Sequence, residues 1–188
     1  GILPKELENQ LLDAGNQLVG FSRSSVYLKL FQSICEGKKT RVLIDQKILD
    51  MIRPDPKIRK LLDQCDTVET FPNPQFDNFD QNPYKIGERL GKELSQKFGK
   101  NQKFDYLITA SDMIAQGCAR VLSENGKKGL KNLQIVGFDK VDALPYFQHS
   151  ISTIEVPVKQ MVNTAIDLLE DYPKSGAKHL AKARYLEE

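Results

Sequence analysis

Leu133-Gln-Ile-Val-Gly-Phe-Asp139 is a short apolar run that closes on an acid. A continuous apolar stretch of this length, bounded by polar residues, reads as a buried strand, and the acid then stands at the sheet's edge. Upstream, Asp105-Tyr-Leu-Ile-Thr-Ala110 repeats the pattern and runs into Ser111-Asp112-Met-Ile-Ala-Gln-Gly117, where Ser111 or Asp112 caps a helix with Ile114, Cys118, Val121 and Leu122 facing inward. Downstream, the strand-like Ile151 to Val156 meets Pro157, which opens a helix with a wide apolar stripe through Val158, Met161, Val162, Ala165, Ile166 and Leu169.

The alternation continues towards the amino terminus. Asn82 and Pro83 begin a helix carrying Ile86, Leu90, Leu94 and Phe98 at four-residue spacing. Thr67-Val-Glu-Thr-Phe71 and Thr40-Arg-Val-Leu-Ile-Asp45 read as strands. Between them Arg53-Pro-Asp-Pro56 is a loop that ends in a helix start, with Asp55 as cap, Pro56 as first residue, and Ile58, Leu61, Leu62 and Cys65 on one face. Tyr27, Leu30, Phe31 and Ile34 form another helical stripe; before it come a short helix opened by Pro4 and a strand over Gln17-Leu-Val-Gly-Phe21. Strands joined by helices imply right-handed crossovers and a doubly wound α/β fold with a mostly parallel sheet.

Composition excludes several classes. With 40% hydrophobic and 28% charged residues the chain is globular in character, and its net charge of +2 has no basic run interleaved with aromatics to read as a nucleic-acid surface. No apolar stretch approaches the length of a membrane span, and the first residues lack the layout of a signal peptide, so a soluble cytoplasmic protein is expected. Cys35, Cys65 and Cys118 are odd in number, far apart and set in apolar helical patterns, which fits buried reduced thiols. His149 and His179 stand at no ligand spacing from a cysteine or from each other, so no metal is expected.

Gly87-Glu-Arg-Leu-Gly-Lys-Glu93 superficially resembles a phosphate loop, but it has three residues between its glycines where the loop needs four, and it lacks the magnesium-binding hydroxyl. Helix packing explains it. No dinucleotide fingerprint, nucleophile elbow or triad can be assembled, so neither a cofactor nor catalysis is expected. In an open α/β sheet, ligands bind beyond the carboxyl ends of the strands. That rule selects Ser111 and Asp112, Asp139, and the loop holding Arg53, with a helix cap as the structural alternative for Asp112 and a plain turn acid for Asp139.

The ordered motifs Asp105-Tyr-Leu-Ile-Thr-Ala-Ser-Asp-Met-Ile-Ala-Gln-Gly117, Ile135-Val-Gly-Phe-Asp139, Tyr146-Phe-Gln-His-Ser-Ile-Ser-Thr-Ile154 and Pro157 with its helix resemble the effector-binding domain of LacI/GalR-type transcriptional repressors, a periplasmic-binding-protein-like fold. The likeness is specific over about residues 76–170. It implies that residues 22–154 form the C-terminal lobe and that residues 1–21 and 155–188 are remnants of the N-terminal lobe, in a chain without its DNA-binding headpiece. It implies a small carbohydrate effector, a homodimer, and operator DNA bound through that headpiece.

By the same resemblance Asp139 matches the acid that hydrogen-bonds the ligand. Ser111 takes the place of a ligand-touching Asn, and Phe79 that of a stacking aromatic. A ligand-gripping arginine corresponds to Arg59, with Arg53 as its rival. Cys118, Leu122, Tyr146 and Phe147 fall on the family's dimer surface. The alternative is a solute-binding protein of a sugar importer, which shares the two-lobe fold without a DNA function.

Overall fold

The computed structural model describes residues 23–35, 39–72, 82–97, 104–124, 132–159, 162, 163 and 166. By contact density the chain divides into one unit of residues 26–155 and a second made of residues 1–25 and 156–188. Most of the second lies outside the described residues, and with it the positions where the sequence predicts a helix opened by Pro4 and a strand at 17–21; at 158, 162 and 166 it is helical, with Val158, Val162 and Ile166 exposed.

The elements in chain order are α1 (Arg23–Cys35), which belongs to the larger unit from residue 26 on, β1 (Arg41–Asp45), α2 (Gln46–Ile52), α3 (Pro56–Leu62), β2 (Thr67–Phe71), α4 (Pro83–Lys97), β3 (Tyr106–Ile108), α5 (Asp112–Glu124), β4 (Gln134–Asp139), a 3-10 turn (Leu144–Tyr146) and β5 (Ser152–Glu155). Five parallel strands lie in the order β2-β1-β3-β4-β5. The order reverses between β1 and β3, which is the switch point of a doubly wound sheet.

The pleat assigns the two faces. Leu43 pairs with Leu107, and Leu107 with Ile135, so these three share a face, and with them Phe71 joins the cluster of Ile86, Leu90 and Leu94 from α4 and Ile114, Cys118 and Leu122 from α5. Val42, Ile44, Ile108, Val136 and Phe138 point the other way, where Tyr27 of α1 stacks on Phe138 at a ring separation of 6.2 Å. Right-handed crossovers account for the layering: β1 to β2 moves one way along the sheet, whereas β2 to β3 and β3 to β4 move the other, placing α4 and α5 together.

Caps mark the helix starts. Asp55 accepts from the backbone N–H groups of Lys57 and Ile58 ahead of Pro56, and Asn82 accepts from Tyr84 and Lys85. α2 is a helix the sequence reading passed over. Asp45, the last residue of β1, caps it directly through Lys47 and Ile48, so strand and helix join without a loop.

The glycines that resemble a phosphate loop lie inside α4 and bring it against α5. A Cβ on Gly87 would stand 2.1 Å from the carbonyl oxygen of Ile114, and one on Gly117 the same distance from that of Tyr84. No helix among the described residues is long and apolar enough to cross a membrane.

Candidate functional site

Ser111 and Asp139 stand at the carboxyl ends of the adjacent strands β3 and β4. Ser111 is half-buried and is the cap of α5: its Oγ accepts from the Ile114 N–H at 3.3 Å and its carbonyl from Ala115 at 3.1 Å. Thr109, just upstream, uses its hydroxyl on the carbonyls of Ser111 and Val136, which ties the β3 exit to β4.

Asp112 is neither the cap nor a surface group. It is fully buried in the first turn of α5, where the helix dipole favours an acid, and both its oxygens are engaged. The Thr153 hydroxyl donates to Oδ1 at 2.6 Å, and the Val141 N–H donates to Oδ2 at 2.9 Å. The Lys140 N–H donates in turn to Thr153 Oγ1 at 3.2 Å. One carboxylate thus clasps the start of α5, the turn after β4 and strand β5. Gly137 makes room for it, because a Cβ there would lie 2.2 Å from Asp112 Oδ1.

That clasp fixes an unusual turn. Asp139 and Lys140 have φ of 104° and 53°, the left-handed region that non-glycine residues avoid at a cost of order 1–2 kcal/mol each. The bonds from Lys140 and Val141, with an ion pair between Lys140 Nζ and Glu155, hold the backbone there. Asp139 is exposed at the corner. A carboxylate so held suits neighbouring hydroxyls of a ligand, since it accepts two hydrogen bonds at once.

The arginines lie elsewhere. Arg53 and Arg59 line an open groove of about 720 Å³ with Asp63, Cys65, Asp66 and Thr67. Asp66 and Thr67 mark the amino end of β2: the Asp66 N–H bonds the Thr40 carbonyl, and its carboxylate lies 3.7 Å from Arg41, the first residue of β1. In a parallel sheet this is the end opposite Asp139. The physical reason is α2, which starts at the carboxyl end of β1 and, over seven residues, carries the chain roughly 10 Å back before Arg53 is reached. Neither arginine shares the rim with Ser111 and Asp139.

Cys118 and Leu122 face inward as well, at 0% and 8% exposure in the core cluster under α4. They are occupied in packing, and a subunit contact through them would require α4 to leave. Burial pushes the Cys118 thiol up to about 12. Phe147 is half-buried; Phe79 and the side chain of Tyr146 lie outside the described residues. On this flank the buried Gln116 amide donates to the His149 carbonyl at 2.9 Å, securing the segment before β5.

Thr153, Val141 and Gly137 escaped the sequence reading. The only hint was that Thr153 and Gly137 fall within the ordered motifs. Among the described residues no cluster of His, Cys, Asp or Glu is arranged to hold a metal ion.

No family model matches the chain. It is 33% identical over 78 residues to the HTH-type transcriptional regulator MalR of Clostridium butyricum, covering 42% of this chain and 23% of that one. To the HTH-type transcriptional regulator RegA of Clostridium saccharobutylicum it is 35% identical over 85 residues, covering 45% and 26%. The matches thus span about a quarter of the relatives' length. Among solved structures, a LacI family transcriptional regulator from Lactobacillus casei with bound glucose superposes with a TM-score of 0.59 at 15% identity, covering 81% of this chain and 57% of that one. Another LacI family regulator, from Enterococcus faecium with bound ribose, gives 0.54 at 19%, covering 79% and 53%. At these identities the structural likeness speaks for the fold.

Proposed function

From a chain that resembles HTH-type regulators in sequence and LacI-family regulators in fold, we propose the effector-binding and dimerising portion of a sugar-responsive transcriptional regulator. Residues 22–154 would supply the C-terminal lobe of the effector domain. The observation that carries this reading is the exposed Asp139, held in a left-handed turn at the end of β4 beside Ser111 at the end of β3. It is a rim built to accept hydrogen bonds from a polyhydroxylated ligand. Binding would favour one arrangement of the effector domain over another, and the difference in affinity between the two would set occupancy of DNA by the rest of the protein.

Titration of the 188-residue chain with ribose and with glucose tests this reading. Amide shifts should concentrate at Ser111, Asp139 and Lys140 and be lost in Asp139→Ala. Shifts confined to the Arg53 and Arg59 groove would overturn the assignment of the rim. Dimerisation is tested by sedimentation of Phe147→Asp, since Leu122 lies in the core; an unchanged dimer would exclude a contact at Phe147.

A further inference from the structure

Two of the three thiols meet. Cys35 ends α1 and Cys65 lies in the turn between α3 and β2, yet their Sγ atoms are 3.4 Å apart across 30 residues of sequence. The Leu61 carbonyl oxygen is 3.6 Å from each sulfur, so both thiols are turned towards one acceptor. Cys35 is buried, whereas Cys65 is half-buried and lines the open groove that also holds Arg53 and Arg59. One sulfur is therefore within reach of a small solute, and the other waits behind it. Forming a bond of about 2.05 Å requires each sulfur to move by about 0.7 Å, and Cys65 sits in a turn, where the backbone yields more readily than in a helix.

We propose that Cys35 and Cys65 form a reversible dithiol–disulfide modification site, oxidised by hydroperoxides that enter through the groove and tying the end of α1 to the entry of β2. The Cys65 thiolate attacks the peroxide, breaking the O–O bond to give a sulfenic acid and releasing hydroxide or alkoxide, which takes up a proton. The Cys35 sulfur then attacks the sulfenic sulfur, the S–S bond forms, and water leaves with the Cys35 proton. The two thiols lose two electrons and two protons in all, and the peroxide receives them.

The reaction is slow at neutral pH. Burial, with the Cys35 thiol beside it, pushes Cys65 up to about 12, so the thiolate is scarce and the rate rises about tenfold per pH unit. The site therefore accumulates oxidation over long exposure and does not respond in seconds. Cys118, fully buried and remote from the groove's lining, stays a thiol.

The test treats the 188-residue chain with hydrogen peroxide at pH 8, blocks free thiols in denaturant, and maps peptides without reduction. The expected product is a linked Cys35–Cys65 peptide, with Cys118 fully blocked, reversed by dithiothreitol. The closed loop raises the melting temperature by roughly 10 °C. In Cys35→Ser, which removes the second sulfur and keeps the first, dimedone should trap a sulfenic acid on Cys65. Conversion of wild-type Cys65 to sulfinic acid with Cys35 still free overturns the proposal. So does a linkage found only between molecules, or a Cys35→Ser chain with no dimedone adduct.

Discussion

Replacing Gly117 with alanine sets two effects of opposite sign against each other. In a helix interior the change gains about 1 kcal/mol from propensity alone. Here the added methyl would stand 2.1 Å from the Tyr84 carbonyl oxygen and 3.0 Å from the Glu88 nitrogen, both backbone atoms of α4 that cannot rotate aside. An ordinary contact of 3.4–4 Å is wider by at least 1.3 Å, so the helices must part by about that much. The movement would also loosen the facing contact of Gly87 with Ile114 and the cluster of Leu90, Leu94, Cys118 and Leu122 between them. Overpacking of this kind costs about 1–3 kcal/mol, and a backbone obstacle puts it at the upper end. After the propensity gain, a net loss of about 2 kcal/mol remains, a fall of roughly 5–10 °C in melting temperature. Urea denaturation should show a lower midpoint at unchanged slope. A Gly117→Ala chain that melts at or above the wild type would refute the close approach, and with it the account of how α5 is held where it presents Ser111 and Asp112.

The Asp112 clasp gives a second expectation. Asp112→Ala leaves the Val141 N–H and the Thr153 hydroxyl without their acceptor and should cost about 3 kcal/mol, whereas Thr153→Val should cost about 1–2. Urea titration measures both, and amide exchange at Val141 should quicken; a loss below about 1 kcal/mol for Asp112→Ala would show the clasp to be incidental. A third concerns acid. The Arg120 guanidinium, which pairs with Glu88 across α4 and α5, holds the Glu88 carboxyl below its ordinary 4.5, with Lys85 adding to the effect. A lowered folded pKa means that the pair's contribution is complete above the ordinary value and vanishes as the pH falls through the lower one. The melting-temperature gap between wild type and Glu88→Gln should therefore close in strong acid, and a gap that stays constant would be inconsistent with the pairing.

Most of the alternation was legible because each strand is a short apolar run and each major helix carries its stripe and its cap. Asp55 with Pro56, and Asn82 with Pro83, announced helix starts that the backbone honours. α2 was not read, although Ile48, Leu49 and Ile52 have helical spacing, because its cap is the last residue of a strand and Pro54 follows at once. That omission displaced the arginines: without α2, Arg53 reads as a strand-end residue, and with it Arg53 belongs to the other end of the sheet.

The rim itself was half legible. Strand ends selected Ser111, Asp112 and Asp139, but the role of Asp112 rests on Thr153, 41 residues away, and no local pattern carries such a pairing. The two neighbouring thiols escaped for the same reason. Cys65 also reads as helical, whereas it lies in the turn beyond α3. Cys118 and Leu122 show the limit of a helical stripe, which says that a face is apolar and not whether α4 or another subunit covers it.

The Asp112 clasp also determines what a protein engineer can change. One buried carboxylate grips the chain at Val141 and again at Thr153, so the segment between them is anchored at both ends by a group outside it. Exchanging only the exposed side chains of Asp142, Ala143 and Gln148, while keeping the His149 carbonyl to which the buried Gln116 amide donates, should leave the corner at Asp139 undisturbed, which makes these positions the natural place to insert new recognition without rebuilding the sheet.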